Sequence, residues 1–165
     1  MSQSCAREEV EAGLKCLGID PDIFETVVVL RLLRFNTTLS CAGHIINSRE
    51  GNTYLYPYVR IGPCETRNTK YGVSFWGMQT SQLHSLLREF YVNSFFSDGL
   101  FRLGVYHQEY MSADDPKECF IQLMSQHYWF WDYVNQIPWP WLKAKILMRH
   151  RAEMERFTEF LQTKL

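Results

Sequence analysis

Most of the strand-like segments of this chain are joined by links too short for parallel crossovers. TTLSCAG at 37–43, TYLYPYVRI at 53–61 and YGVSFW at 71–76 follow one another closely, and FRLGVYHQ at 101–108 is soon followed by ECFIQLMS at 118–125. Their β-branched and aromatic residues suit a pleated, half-buried surface. A parallel connection needs a dozen or more residues, whereas short links join antiparallel neighbours. The expectation is therefore an antiparallel sheet of about five strands. Pro57 has no N–H to donate, which marks its strand as an edge or a bulge.

Helical spacing occupies the rest. Residues 5–17 place Val10, Leu14 and Leu17 on one face, with Ser4 as a cap and Gly18 as a stop. Asp20 followed by Pro21 signals a second helix start. The run ETVVVLRLLRF then sets β-branched residues against that signal. We read it as a helix to about Arg34, apolar nearly all round and so buried. Thr80 or Ser81 should cap a helix carrying Leu83, Leu86, Leu87 and Phe90, and a long C-terminal helix should begin near Pro140 with Leu147, Met154, Phe157 and Leu161 inward. The class is α+β, with helices packed on an antiparallel sheet. At 165 residues, with no repeat or linker, the chain reads as a single domain over 1–165.

Composition narrows the function. The net charge of −1 argues against holding a phosphate backbone by charge alone, so a nucleic-acid partner is not expected. Arg31, Arg34 and Arg60 could form only a small local patch, and solvated surface charge is their simpler reading. The longest apolar run, VVVLRLL at 27–33, is broken by Arg31, so no membrane span is expected. Five cysteines without a paired framework, and acidic residues where a secretory leader would be basic, point to free thiols in a reducing cytoplasm.

One stretch invites a chemical reading. In TTLSCAGHIIN, residues 37–47, Cys41 and His44 are separated only by Ala42 and Gly43. An imidazole can activate a thiolate, and Gly43 would let the backbone present N–H groups to an oxyanion. That would make a cysteine-dependent hydrolase or transferase, with Cys41 as nucleophile and His44 as base. Cys-x-x-His is also half of a zinc site, but the other half is missing as a motif, and Cys64 and His107 would have to supply it. No metal is expected. The bland alternative is a strand end pressed against a helix, with a buried thiol and a hydrogen-bonded turn histidine.

The segment RFNTTLSCAGHIIN, followed by PYVRI, resembles small uncharacterised bacterial and phage proteins carrying N-T-x-x-S-C-x-G-H and then an aromatic-proline strand. The matching positions are Asn36, Thr37, Ser40, Cys41, Gly43 and His44, then Pro57 and Tyr58. The resemblance implies no activity, only that this turn is a site. A similar Ser-Cys-x-Gly stretch occurs in a tRNA wybutosine-synthesis methyltransferase family. There the final residue is arginine, where this chain has His44, and the chain lacks the basic surface that tRNA would require.

The aromatic stretch HYWFWDYVNQIPWPW at 127–141 supplies further candidates, Trp129 and Trp131 among them. Such residues stack on ligands, anchor interfaces or simply fill a core. With no phosphate loop, dinucleotide fingerprint or complete metal motif, no cofactor is implied. The leading expectation is a small cytosolic binding protein. Its pocket or contact surface would gather Ser40, Gly43, His44, Tyr58, Arg60, Trp129 and Trp131. Its ligand would be a small anionic molecule or a protein partner.

Overall fold

The computed structural model describes residues 3–45, 56–62, 70–93, 99–112, 115–127, 130, 136 and 138–165. Helix α1 (Gln3–Lys15) leads through a turn into α2 (Pro21–Leu32). Asp20 caps α2, its Oδ1 accepting the Asp22 N–H at 3.2 Å. Three consecutive valines do not break this helix, because Ile23, Thr26, Val27, Val28, Val29 and Leu30 are all buried. Tertiary burial outweighs the modest helix penalty of β-branched side chains. The helix closes with Arg34 in the left-handed region, φ 69°, while the Phe35 N–H reaches back to the Leu30 carbonyl at 2.9 Å. This is a Schellman-type ending on a residue that is not glycine.

Strands β1 (Thr37–Cys41), β2 (Tyr58–Ile61), β3 (Leu103–Ser112) and β4 (Asp115–Ser125) form one antiparallel sheet in the order β1-β2-β4-β3. The described sheet thus has four strands, not five. Residues 71–76, expected as a strand, belong to helix α3 (Lys70–Asn93). A six-residue apolar run cannot distinguish helix from strand. Once the amphipathic segment around Leu83, Leu87 and Phe90 is docked, extending its helix backwards adds a hydrogen bond per residue without a new nucleus. Thr80 and Ser81 therefore lie inside the helix and do not cap it. Pro57 does not place its strand at an edge either: β2 is interior, and Pro57 lies just before it, where no ladder donor is missed. A three-ten turn (Gly99–Phe101) precedes β3, and helix α4 (Pro140–Gln162) closes the described fold.

Register separates the sheet's two faces. Val59 opposes Leu123 and Ile61 opposes Ile121, and all four are buried. They pack with Val27 and Leu30 of α2, Leu83, Leu87 and Phe90 of α3, and Met154, Phe157 and Leu161 of α4. Each fully buried side chain of this kind stabilises the fold by about 1.5–3 kcal/mol. A second cluster joins Tyr56, Phe101, Met124 and Ile146, with Tyr58 and Tyr106 against it. Thr26 and Thr158, both buried, share a hydrogen bond of 2.7 Å that fixes α2 to α4.

Candidate functional site

The Cys41–His44 turn is held from three directions. Gly43 has φ 77°, a conformation glycine adopts without steric cost, and its N–H donates to the Cys41 sulfur at 3.3 Å. Arg151 of α4 donates from Nε to the Ala42 carbonyl at 3.0 Å and from Nη2 to the Gly43 carbonyl at 2.8 Å. Its Nη1 pairs with Asp22 at the start of α2, at 2.5 Å. One guanidinium therefore ties the end of β1 to two helices. The planar fork of arginine is suited to this, since it presents several donors in fixed directions.

His44 pairs with a carboxylate and not with the thiol. Its Nε2 lies 3.2 Å from Oδ2 of Asp20, the residue that also caps α2, and its side chain is 52% exposed. Among the described residues, the Cys41 sulfur has one hydrogen-bond partner, the Gly43 N–H. Burial raises the thiol above its ordinary pKa. The Gly43 N–H and Arg151 pull it down, while Asp20 pushes it up, and the net direction is upward. The thiol thus takes its hydrogen bond from the Gly43 N–H, the imidazole is paired with Asp20, and burial favours the neutral thiol over the thiolate.

Unbroken alternation along β1 would put Thr37, Leu39 and Cys41 on one face, but the β1–β2 register shifts between Thr37 and Leu39. Thr37 is buried opposite Ile61, Leu39 is exposed opposite Arg60, and Cys41 is half-buried opposite Tyr58. A bulge of one residue inverts the facing of everything beyond it. Cys41, Tyr58 and Arg60 consequently share a face, and Ser40, opposite Val59, is on the other. The Arg60 guanidinium carbon stands 3.8 Å from the Phe120 ring centroid, a cation–π contact rather than a solvated charge. Arg31 is not free surface charge either: its Nε donates to Thr37 Oγ1 at 2.6 Å and its Nη2 to the Thr37 carbonyl. Trp129, Trp131 and Cys64 lie outside the described residues. Among the described residues, no group of three or more His, Cys, Asp or Glu side chains is disposed to hold a metal ion. Nor is any helix among them long and apolar enough to cross a membrane.

Two grooves flank the turn. A groove of about 240 Å³ runs beside β1, between Leu17, Ile19 and Val27 on one side and Thr38, Leu39 and Ser40 on the other. A wider, open groove of about 560 Å³ lies between α2 and α4 and is acidic, with Asp22, Glu25, Glu155 and Glu159 along it. Farther along α4, His150 is buried between Tyr56 and Phe101, with ring centroids 6.4 and 4.8 Å away, and burial pushes its pKa down to about 3. Glu153, also buried, pairs with Arg156 and neighbours Tyr91, whose phenol is raised by burial first and by that carboxylate in addition. Sequence reading missed Arg151 and the second role of Asp20. Asp20 gave a capping signal only, and Arg151 is too far along the chain for any local pattern to join it to the turn. Comparison with family models, with curated proteins and with solved structures found no match to this chain.

Proposed function

We propose that the chain is a non-catalytic binding protein that engages a protein partner along β1, from the α1–α2 turn to the Cys41–His44 turn. The observation that carries this reading is the groove of about 240 Å³ beside β1, where Leu14, Ile19 and Val27 face Thr38 and Ser40, with Leu17 and Leu39 exposed along it. β1 stands at one end of the strand order, so among the described residues its outer side pairs with no strand. An edge strand beside a partly apolar groove suits an extended segment: main-chain hydrogen bonds supply affinity and the groove receives alternate side chains. A small anionic ligand has less support. Arg31 and Arg151 are engaged in internal hydrogen bonds, and the groove between α2 and α4 carries the wrong sign. Thiol chemistry has against it the raised Cys41 pKa and the pairing of His44 with Asp20.

Panning a random-peptide display library against the folded chain tests the reading. Selected peptides should alternate apolar and polar residues. They should lose roughly tenfold or more in affinity at Leu39→Asp, the scale of one interface anchor, and keep their affinity at Cys41→Ala. Peptides indifferent to Leu39→Asp would refute it. So would a Cys41 that iodoacetamide labels faster than the exposed Cys5 and Cys16.

A further inference from the structure

The outward face of α4 is divided in charge along its length. Trp141, Lys145, Met148, Ala152, Glu155, Glu159 and Gln162 follow one another at three- and four-residue steps, and all seven are exposed. Trp141 is 66% and Met148 70% exposed. From Pro140 to Ala152 the helix carries Lys143, Lys145, Arg149 and Arg151 and no carboxylate, while Glu155 and Glu159 follow on the outward side. Among the described residues, Lys145, Glu155 and Glu159 have no ion-pair partner.

We infer that a second copy of this chain covers this face, its α4 antiparallel to the first and crossing it at Ala152. Around that centre, equal offsets before and after Ala152 meet. Lys145 then faces Glu159 of the second copy and Arg149 faces Glu155 of the second copy, and two-fold symmetry repeats each pair. Met148 lies along the aliphatic stem of Arg156 of the second copy, a surface arginine side chains offer readily. At the ends, the exposed Trp139 meets the exposed Leu165 of the second copy. Ala152 is small enough to let the helices approach at the crossing. A two-fold contact must be self-complementary, with each residue meeting the counterpart of its own partner. This stripe meets that demand in charge and in apolar content. An anionic membrane or a nucleic acid would satisfy the cationic half but leave Glu155 and Glu159 facing like charge.

Sedimentation velocity on the full chain tests the inference over roughly 1–300 μM, the range where a modest interface is read. The wild type should pass from monomer to dimer, less readily at high salt. Lys145→Glu and Glu159→Lys should each weaken dimerisation about tenfold, since each creates two repulsive pairs. The double variant K145E/E159K should restore it. Far-UV circular dichroism confirms that these surface variants fold. A chain that stays monomeric throughout overturns the inference, as does a double variant no better than the singles. Binding of the monomer to phosphatidylserine vesicles through Trp141 and Lys145 would overturn it in favour of a membrane partner.

Discussion

Acidification should destabilise this protein through one imidazole. His150 is 1% exposed, flanked by Tyr56 and Phe101, and its folded pKa of about 3 lies well below the ordinary 6.5. In the unfolded chain it takes a proton near pH 6.5, while in the folded chain it stays neutral down to about pH 3. Between those values the unfolded state binds more protons, so stability falls as pH falls, by about 1.4 kcal/mol per pH unit once the unfolded form is fully charged. By pH 5 the loss from this group alone is about 2 kcal/mol, a large fraction of a typical 5–15 kcal/mol total. That corresponds to roughly 4–8 °C in melting temperature for a chain of this size. Urea unfolding at pH 8, 7, 6 and 5 would measure the slope. His150→Phe, which keeps an aromatic ring among aromatic rings, should remove most of the difference between pH 7 and pH 5. Equal slopes for wild type and variant would refute the reasoning. So would a carbon-detected titration showing the His150 ring charged in the folded protein at pH 5.

Three further outcomes follow from the turn and its surroundings. Arg34→Gly should stabilise the fold by up to about 1 kcal/mol in chemical denaturation, because it relieves a left-handed arginine at φ 69° and keeps the carbonyl that Gln79 Nε2 bonds at 2.9 Å; a net loss would mean that the Arg34 side chain stabilises more than its backbone strains. Arg151→Ala should cost about 2 kcal/mol by stranding the Ala42 and Gly43 carbonyls and Asp22, and Arg151→Lys should recover only part, since an ammonium cannot span the same fork; full recovery by lysine would show that charge alone is needed. Iodoacetamide should modify Cys41 more slowly than the exposed Cys5 and Cys16 at pH 7.5, read by peptide mass spectrometry, because burial raises its pKa.

The helices were the most legible part of the sequence. Asp20-Pro21 announced α2, and the Leu83–Leu87–Phe90 spacing announced α3, because a cap and a 3.6-residue period are local signals. Residues 71–76 misled because β-branched and aromatic content is shared by strands and buried helices. The faces of β1 were illegible for a different reason. Nothing in TTLSC shows that its register slips by one residue against a strand of which Tyr58 is the first member. The site was visible as a cluster of residue types, but its chemistry was not. His44 takes its partner from Asp20 and the turn takes its donors from Arg151, and both pairings exist only after the helices have docked.

Arg151 also sets an order of events during synthesis. The turn it clasps leaves the ribosome long before α4, so the Ala42 and Gly43 carbonyls and Asp22 must wait for α4 to bring their donors. Until then the Ala42 and Gly43 carbonyls remain with water, and the face of α2 that later meets Met154, Phe157 and Leu161 lacks that cover. The nascent chain is therefore most exposed to mispairing and to proteases in the interval before α4 emerges. A stalled product ending within residues 126–139 would carry every described strand of the sheet and yet lack its clasp.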